Sequence, residues 1–542
     1  MRVRTTDPKG MAPSVGATIL SESAAQLALD GVVEPGRFRP LREPVQVAQP
    51  SKAGTVLGLF KLGNTWLNWL YRVSVCRSPL ANDQWKRLYF AGGDAFAPQY
   101  TTEVLALSGN DWPGVTYRLG VPAPVLIPGA VVIGDPTDDD PTLADTRYYV
   151  ETYVSAYGEE GPPGPVSVEV VVAPGQTVQL SGLSSVPAGN YNITHRRIYR
   201  TNVGSSGAEF QLVLPSTYPD GLIPLAVAEV VDDCSSGALG GVMASADYDL
   251  PPEDLHSMIV LPCGALAGLS GNQICFTPPY QPHAWPVKYR MSFDFDGVAL
   301  GAYGNYILVA TTGAPYVVVG TNPESMSSPE KAEDGYGCVS ARGMVDMGYS
   351  LVYPAVDGLR YAGLSGVRNL TADMITEKDW QALKPETIHA YLWDGKYVGF
   401  WDNTNTAGTH GFIFDPATGN LTYHNISATA GFNDPLTGDL YVLTAAGICL
   451  WDDGVARPAT WKGKKFELQD SYPLTVARVF ADGYPLTFSI WSNGRLKRQR
   501  TVVTSEPFKL PPGETKQLEY QVSGPYTWQM VAVATSEREL LG

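Results

Sequence analysis

One local pattern limits the possible folds more than any other feature. Between Gly271 and Gly494 a small or polar turn ending in glycine is repeatedly followed by a short run of alternating apolar residues. It reads SGNQICFT, TTGAPYVVV, AVDGLRYA, TAAGICLW and SNGRLKRQ, with glycines at Gly271, Gly313, Gly358, Gly447 and Gly494. The steps are 42, 45, 89 and 47 residues, the third being close to twice the others. β-Propeller blades recur at roughly 40 to 50 residues. Glycine suits such turns because it lacks a Cβ, and Asp-Gly, present at Asp357-Gly358 and Asp394-Gly395, is the strongest short hairpin signal. A four-stranded blade cannot cover both its faces, so blades stack around an axis.

Composition agrees with an all-β chain. The 542 residues include 56 glycines and 43 prolines, which favours many turns over long helices. Apolar residues at 44% suffice for full-sized cores. The formal charge is −16, from 54 acidic and 38 basic residues, which opposes binding to nucleic acid by phosphate neutralisation. An acidic wall remains compatible with DNA passing by. The six cysteines, Cys76, Cys234, Cys263, Cys275, Cys338 and Cys449, show no Cys-x-x-Cys pair and no zinc-finger spacing, and read as reduced, buried, small hydrophobes. The N-terminus lacks the apolar core of a secretory signal, and no apolar run reaches membrane-spanning length. Synthesis in a reducing cytoplasm is expected, where the Asn-x-Ser/Thr triplets at Asn192, Asn369, Asn420 and Asn425 are not glycan acceptors.

Five segments follow from this reading. Residues 1–52 form a proline-rich N-terminal arm around one short helical stretch, ATILSESAAQLALDG, whose Leu20, Ala24, Leu27 and Ala28 share a face that a neighbouring domain or subunit must cover. Residues 53–120 carry blade-like strands. Residues 121–243 differ: TRYYVETYVSAYGEEGPPGPVSVEV begins a series of short strands with the rhythm of an antiparallel sandwich. This segment resembles a fibronectin type III domain, whose strands lead into a similar Gly-Glu-Gly-Pro-Pro turn. Residues 244–505 form the main propeller part. Residues 506–542 supply C-terminal strands able to complete a blade. The predicted fold is a β-propeller interrupted by an inserted fibronectin type III or immunoglobulin-like β-sandwich.

Catalytic signals are sparse. The sequence contains no nucleophile elbow, phosphate loop, HExxH helix or dinucleotide fingerprint. His195, His256, His283, His389, His410 and His424 are scattered singly, and structural or surface roles are the simpler reading. Asp294 and Asp296 in SFDFDG could hold Ca²⁺ or act as an acid/base pair, but a solvated strand face is simpler. Asp138, Asp139 and Asp140 lie in a proline-bracketed loop, and Glu159 and Glu160 in a turn. Trp393, Tyr397 and Trp401, with Tyr280 and Trp285, could stack on a sugar, but alternation in YLWDGKYVGFW favours core packing. RLKRQR, from Arg495 to Arg500, is a basic cluster read as a solvated strand or a salt-bridged subunit contact. No catalytic, cofactor or metal residue is assigned.

GNQICFTPPYQPHAWP at 271–286, LGAYGNYILVATTGAPYVVVGTNPESM at 300–326 and YNITHRRIYRT at 191–201 are similar to the tail nozzle proteins of short-tailed bacteriophages, also called tail tubular protein B. The resemblance implies a non-enzymatic structural protein of the virion tail, assembled in the host cytoplasm. It also implies that six copies form a ring that meets a tail adaptor and tail fibre or spike proteins. On that resemblance genomic DNA is expected to pass through the channel without specific binding, and six copies at −16 each, −96 in total, would repel it. A glycan-binding adhesin or receptor-binding tail protein is the alternative, motivated by the aromatic residues and carboxylates.

Overall fold

Short antiparallel strands joined by tight turns make up nearly all of the regular structure, with helices of no more than six residues. The computed structural model describes residues 1–138, 140–202, 209–332, 335–401 and 408–541. The chain divides into two compact units, one comprising residues 1–72, 295–318 and 329–542, the other residues 73–294 and 319–328.

The first unit contains four four-stranded antiparallel meanders in succession. One comprises Gly297–Tyr303, Tyr306–Thr311, Tyr316–Val319 and Glu330–Lys331, and the next Val345–Asp346, Leu351–Ala355, Gly358–Gly363 and Gly366–Asn369. The third comprises His389–Trp393, Lys396–Phe400, Gly411–Asp415 and Asn420–His424. The fourth takes Ala430–Asn433, Leu440–Thr444 and Gly447–Leu450, and its outer strand is Val45–Ala48, from far upstream. The first strand of each meander packs on the first strand of the next, as propeller blades do. A strand pair, Gly58–Leu62 with Thr65–Trp69, continues the stack against Ala430–Asn433. Apolar side chains fill the spaces between blades, for example Val398, Phe400, Ile413, Val442 and Trp451.

The glycine beat has a structural meaning in these sheets. Gly313 lies between the second and third strands of its meander, and Gly358 and Gly447 open the third strand of theirs. In the third meander that connection runs from Phe400 to Gly411, the missing beat of the 89-residue step, and residues 402–407 of it lie outside the described residues. Gly494 also turns a hairpin, but its strands, Leu486–Ser492 and Arg495–Val502, lie at the far end of a ten-stranded sheet that the third meander begins, outside the meander itself.

Beyond the third meander, whose last strand meets Ala25–Leu29 in parallel, that sheet is built from both ends of the chain. Ala25–Leu29 pairs with Ala459–Gly463, which pairs in turn with Glu514–Gly524, and Leu486–Ser492 and Arg495–Val502 follow. A second sheet joins Arg2–Thr5 and Arg37–Pro40 to Trp528–Ala534 and Val476–Ala481. Phe38, Trp461, Phe488, Tyr520, Val522, Trp528 and Val531 share the core. The C-terminal strands therefore join the N-terminal ones in this assembly and complete no blade. The helical stretch expected in the arm is instead the strand Ala25–Leu29. Ala25 and Ala28 are fully buried against this chain's own strands. Backbone hydrogen bonds to a waiting strand outweigh the weak preference of a short alanine-rich segment for helix.

The second unit holds two four-stranded sheets and the segment between them. Ser74–Arg77, Leu88–Ala91, Gln99–Thr101 and Tyr117–Arg118 form one sheet, and His256–Val260, Leu266–Ser270, Gln273–Phe276 and Arg290–Ser292 the other. Ser74–Arg77 packs on His256–Val260, with Ser74 Oγ accepting from Met258 N at 2.9 Å. Gly271 sits between the second and third strands here as well. From Gly129 to Asp232 three small antiparallel sheets enclose one core containing Tyr149, Val178, Leu180, Ile198, Val213 and Val230.

Two ion pairs are buried beside that core. Arg196 meets Glu151 at 2.8 Å, and Arg200 meets Asp232 at 3.0 Å with both side chains wholly buried. Tyr149 Oη also donates to Asp232, at 2.8 Å, and Arg200 to the Cys234 carbonyl at 2.9 Å. Burial pushes Glu151 up and Arg196 down. Removing one partner of such a pair strands a desolvated charge, at about 3–5 kcal/mol.

Two stability measurements check this account. Gly447, at φ +123° and with the Ala48 carbonyl 2.7 Å from where a Cβ would stand, tolerates alanine poorly, whereas Gly271, at φ +50° in open space, pays only the left-handed backbone penalty of roughly 1–2 kcal/mol. Urea denaturation should show Gly447→Ala as clearly the more destabilising. Asp232→Ala should cost about 3–5 kcal/mol, while Asp247→Ala, which breaks an exposed pair with Lys288, should cost no more than about 1 kcal/mol.

Candidate functional site

In the second unit a cleft of about 360 Å³ opens where the GEEGPP turn, the segment 80–87 that precedes the strand Leu88–Ala91 and the proline-rich segment 278–286 come together. The turn is fixed locally: Ser155 Oγ accepts from Tyr157 N and Glu159 N, both at 3.2 Å. Glu159 and Glu160 are thereby directed inward. Pro278, Pro279, Pro282 and Pro286 stiffen the opposite wall, and Tyr280 is held at φ +61° with its amide on the Gly264 carbonyl at 2.8 Å.

Charge in the cleft is internally paired. Arg87, 3% exposed, donates from Nε to Asp83 at 2.8 Å and from Nη1 to Glu159 at 2.5 Å. Its guanidinium lies 5.1 Å from the Trp85 ring and 5.6 Å from Tyr157, and those two rings are 4.7 Å apart. Burial works against the charge of Asp83, but hydrogen bonds from Arg87 and Ser78 prevail and hold its carboxyl below the usual value. Glu160 accepts from Thr152 Oγ1 at 2.7 Å and from Arg197.

His283 is the exception. Its Nε2 lies 3.1 Å from the Glu160 carbonyl, so Nε2 carries the proton and Nδ1 presents a lone pair. Glu159 Oε1 lies 3.8 Å from Nδ1, beyond hydrogen-bond reach. Burial lowers the ring's pKa more than Glu159 raises it, so the imidazole is neutral and the two groups form no ion pair. Nδ1 and the hydroxyl of Ser245, on residues 5% and 2% exposed, have no hydrogen-bond partner. Tyr248 stands edge-on to His283 at 5.7 Å.

The structure brings together Glu159, Glu160, Tyr280 and His283 from the sequence reading. It separates the others. Tyr397, Trp401 and Trp285 are buried in cores, with Tyr397 Oη donating to the Gly343 carbonyl and Trp401 Nε1 to the Thr409 carbonyl, both at 2.8 Å. Trp393 is half-buried under Arg39 and Lys396. Asp294 and Asp296 lie in an exposed bend, not on a strand face. Asp140 caps a short turn by accepting from Thr142, Asp138 is exposed, and Asp139 lies outside the described residues. Arg495–Val502 is a largely exposed strand at the end of its sheet, with Lys497 reaching the carbonyls of Leu474 and Gly513. All six cysteines are free, and five are buried. Arg87, Trp85, Tyr157, Arg197, Ser245 and Tyr248 complete the cleft without any sequence motif to mark them.

A wider groove of about 1080 Å³ in the first unit is lined by Asp7, Glu34, Arg37, Asp394, Lys396 and Asp415 among others. Its cations are matched locally, Arg37 with Glu34 and Lys396 with Asp394, so it is a solvated groove. Among the described residues no group of three or more His, Cys, Asp or Glu side chains comes together as a metal site, and no helix is long and apolar enough to cross a membrane.

His389 and His424 flank Phe400 inside the third meander, at 5.2 and 5.0 Å between ring centroids. Burial lowers both, His424 to about 3 from an ordinary 6.5. Below pH 6.5 the unfolded chain therefore binds protons that the folded chain refuses, and stability falls with pH until about 3. Each histidine should cost up to about 1.4 kcal/mol per pH unit in that window. Urea midpoints between pH 7 and pH 5 should drop, and His424→Gln should flatten the slope.

The sequence matches no family model and no curated protein. Among solved structures it is similar to the extracellular domain of a one-component system from B. thetaiotaomicron, at 10% identity and a TM-score of 0.23, covering 87% of this chain and 54% of that one. The Neurospora crassa Pan2 WD40 domain is similar at 9% identity and a TM-score of 0.25, covering 60% and 93%. Citrobacter koseri AztD gives 11% and 0.28, covering 69% and 100%. This chain thus spans about half the length of the first of these. Likenesses this distant carry no argument about function, and the architecture rests on the sheets themselves.

Proposed function

We propose that this chain is a structural tail nozzle subunit of a short-tailed phage virion, six copies of which form a ring that extends the DNA ejection channel below the portal and adaptor. Its partners are further copies of itself, the adaptor and the tail fibres or spikes, and it is not an enzyme. The segment from 121 to 243 is an immunoglobulin-like sandwich inserted into the propeller.

One physical observation carries the reading: a net charge of −16 borne by a stack of small β-sheets. A conduit for a polyanion works by repelling it, and affinity would retard passage. The three nozzle-like segments also fall on framework elements. Residues 191–201 include the strand bearing the buried Arg196 and Arg200, and 271–286 supply a blade hairpin and one wall of the cleft. Of the aromatic residues that motivate the glycan-binding alternative, Trp285, Tyr397 and Trp401 are core, whereas Trp393 is half-buried and Tyr280 exposed.

Mass photometry of the purified protein, alone and with its adaptor, tests the assembly. One copy weighs 58.3 kDa, so a ring of six appears at about 350 kDa. A strictly single copy within an assembled tail removes the reading.

A further inference from the structure

We infer that the strand Arg495–Val502 is the surface by which one copy of this chain docks on an acidic part of the next copy. The inference rests on the ring reading and names the surface such a ring uses. Charge is spread unevenly along the sequence. Residues 457–516 carry 11 Lys and Arg against 5 Asp and Glu, a surplus of +6, whereas the rest of the chain carries 27 against 49, or −22. Arg495, Lys497, Arg498 and Arg500, four of those eleven cations, line a strand at the free edge of the ten-stranded sheet.

The cations of the cleft and of the wide groove are matched by carboxylates, but these are not. Among the described residues only Arg457 and Lys462 of the eleven meet a carboxylate, on Asp30, Glu43 and Glu519. Lys497 reaches the carbonyls of Leu474 and Gly513, and the Arg500 guanidinium lies 4.9 Å over the Phe508 ring. Arg495 and Arg498 stand exposed. Lys516 extends the strip, its amide held by Asn493 Oδ1 at 3.0 Å beside the turn that leads into Arg495.

Three features select the partner. The register shifts at Ile490/Trp491, so that Lys497 has no residue opposite it, and a bulge together with charge opposes the addition of a further strand. Recognition therefore runs through side-chain charge, and the partner surface is anionic. A two-fold pair would set the strip against itself, where like charges repel, so the contact is head-to-tail, between the strip and a different patch. A second copy supplies that patch from its −22 remainder. At about 0.15 M salt charges are screened beyond about 8 Å, so local opposite charges outweigh the repulsion between two copies of net charge −16. DNA is the less suited polyanion, because a strip this short neutralises few phosphates while the rest of the chain opposes its approach.

Sedimentation velocity on the full chain at about 0.15 M salt, over a range of protein concentrations, tests the inference. Arg495→Glu/Arg498→Glu is compared with Arg368→Glu/Lys378→Glu, which changes net charge equally at exposed cations elsewhere. Wild type and control should assemble beyond the single copy of 58.3 kDa. The strand variant should associate about tenfold more weakly or worse, and Arg495→Lys/Arg498→Lys should restore assembly. Carbodiimide cross-linking of mixed unlabelled and isotope-labelled wild-type copies gives a readout that needs no substitution: Lys497 or Lys516 should join a carboxylate of another copy. Assembly that the charge reversal leaves at wild-type strength overturns this inference alone, since only a single copy within an assembled tail removes the ring reading. A wild type that stays single at every concentration, or cross-links confined within one copy, also overturns it. Binding of a short fluorescent DNA duplex that the reversal abolishes would assign the strand to phosphate contacts instead and overturn it too.

Discussion

A four-stranded sheet with strands of about five residues has two faces and cannot cover either one, and the architecture follows from that shortage. Leu308, Val352, Val398 and Val442 lie in central positions of successive sheets and are all inaccessible to solvent. That burial exists because the neighbouring sheet is present on each side. Fully burying such a side chain contributes roughly 1.5–3 kcal/mol, so losing one blade exposes the faces of two others. The unit is stabilised as a stack, and its tight turns keep successive sheets close enough to stack.

The same shortage explains the polar interior of the segment between the two sheets of the second unit. Its strands are buried along their whole length at Tyr149–Ser155, which includes Glu151, Thr152 and Ser155. A strand with both faces covered has no solvent side for its polar residues, so these must find partners inside. Glu151 finds Arg196, and Ser155 and Thr152 tie down the turn that carries Glu159 and Glu160. The cleft is thus a by-product of satisfying buried polar groups, with His283 and Ser245 left over.

Much of the framework is legible in the sequence, because the glycine-hinged turn is a local signal. The turns at Gly271, Gly313, Gly358 and Gly447 all occupy the same place within a meander. Gly494 shows the limit of that signal: a turn specifies a hairpin, but the sheet it enters depends on distant strands. Likewise Ala25–Leu29 is assigned by Ala459–Gly463, more than 400 residues away, and no window of the sequence contains both. Alternation correctly placed Tyr397 and Trp401 in the core. The cleft was not legible as a unit, since Arg87 and Glu159 are 72 residues apart and Glu160 and His283 are 123 apart, with no fixed spacing that chemistry requires. FDFDG alternates like a strand yet bends, because periodicity cannot register where pairing stops.

The pairing of Arg2–Thr5 with Trp528–Ala534, and of Val45–Ala48 with Gly447–Leu450, has a kinetic side. During synthesis these early strands emerge long before their partners, and at about 5–20 residues per second they wait tens of seconds with unpaired edges. Such edges invite pairing with other chains. The prolines that punctuate the first fifty residues cannot donate to a ladder, and so help keep the nascent segment from premature association until its mates arrive.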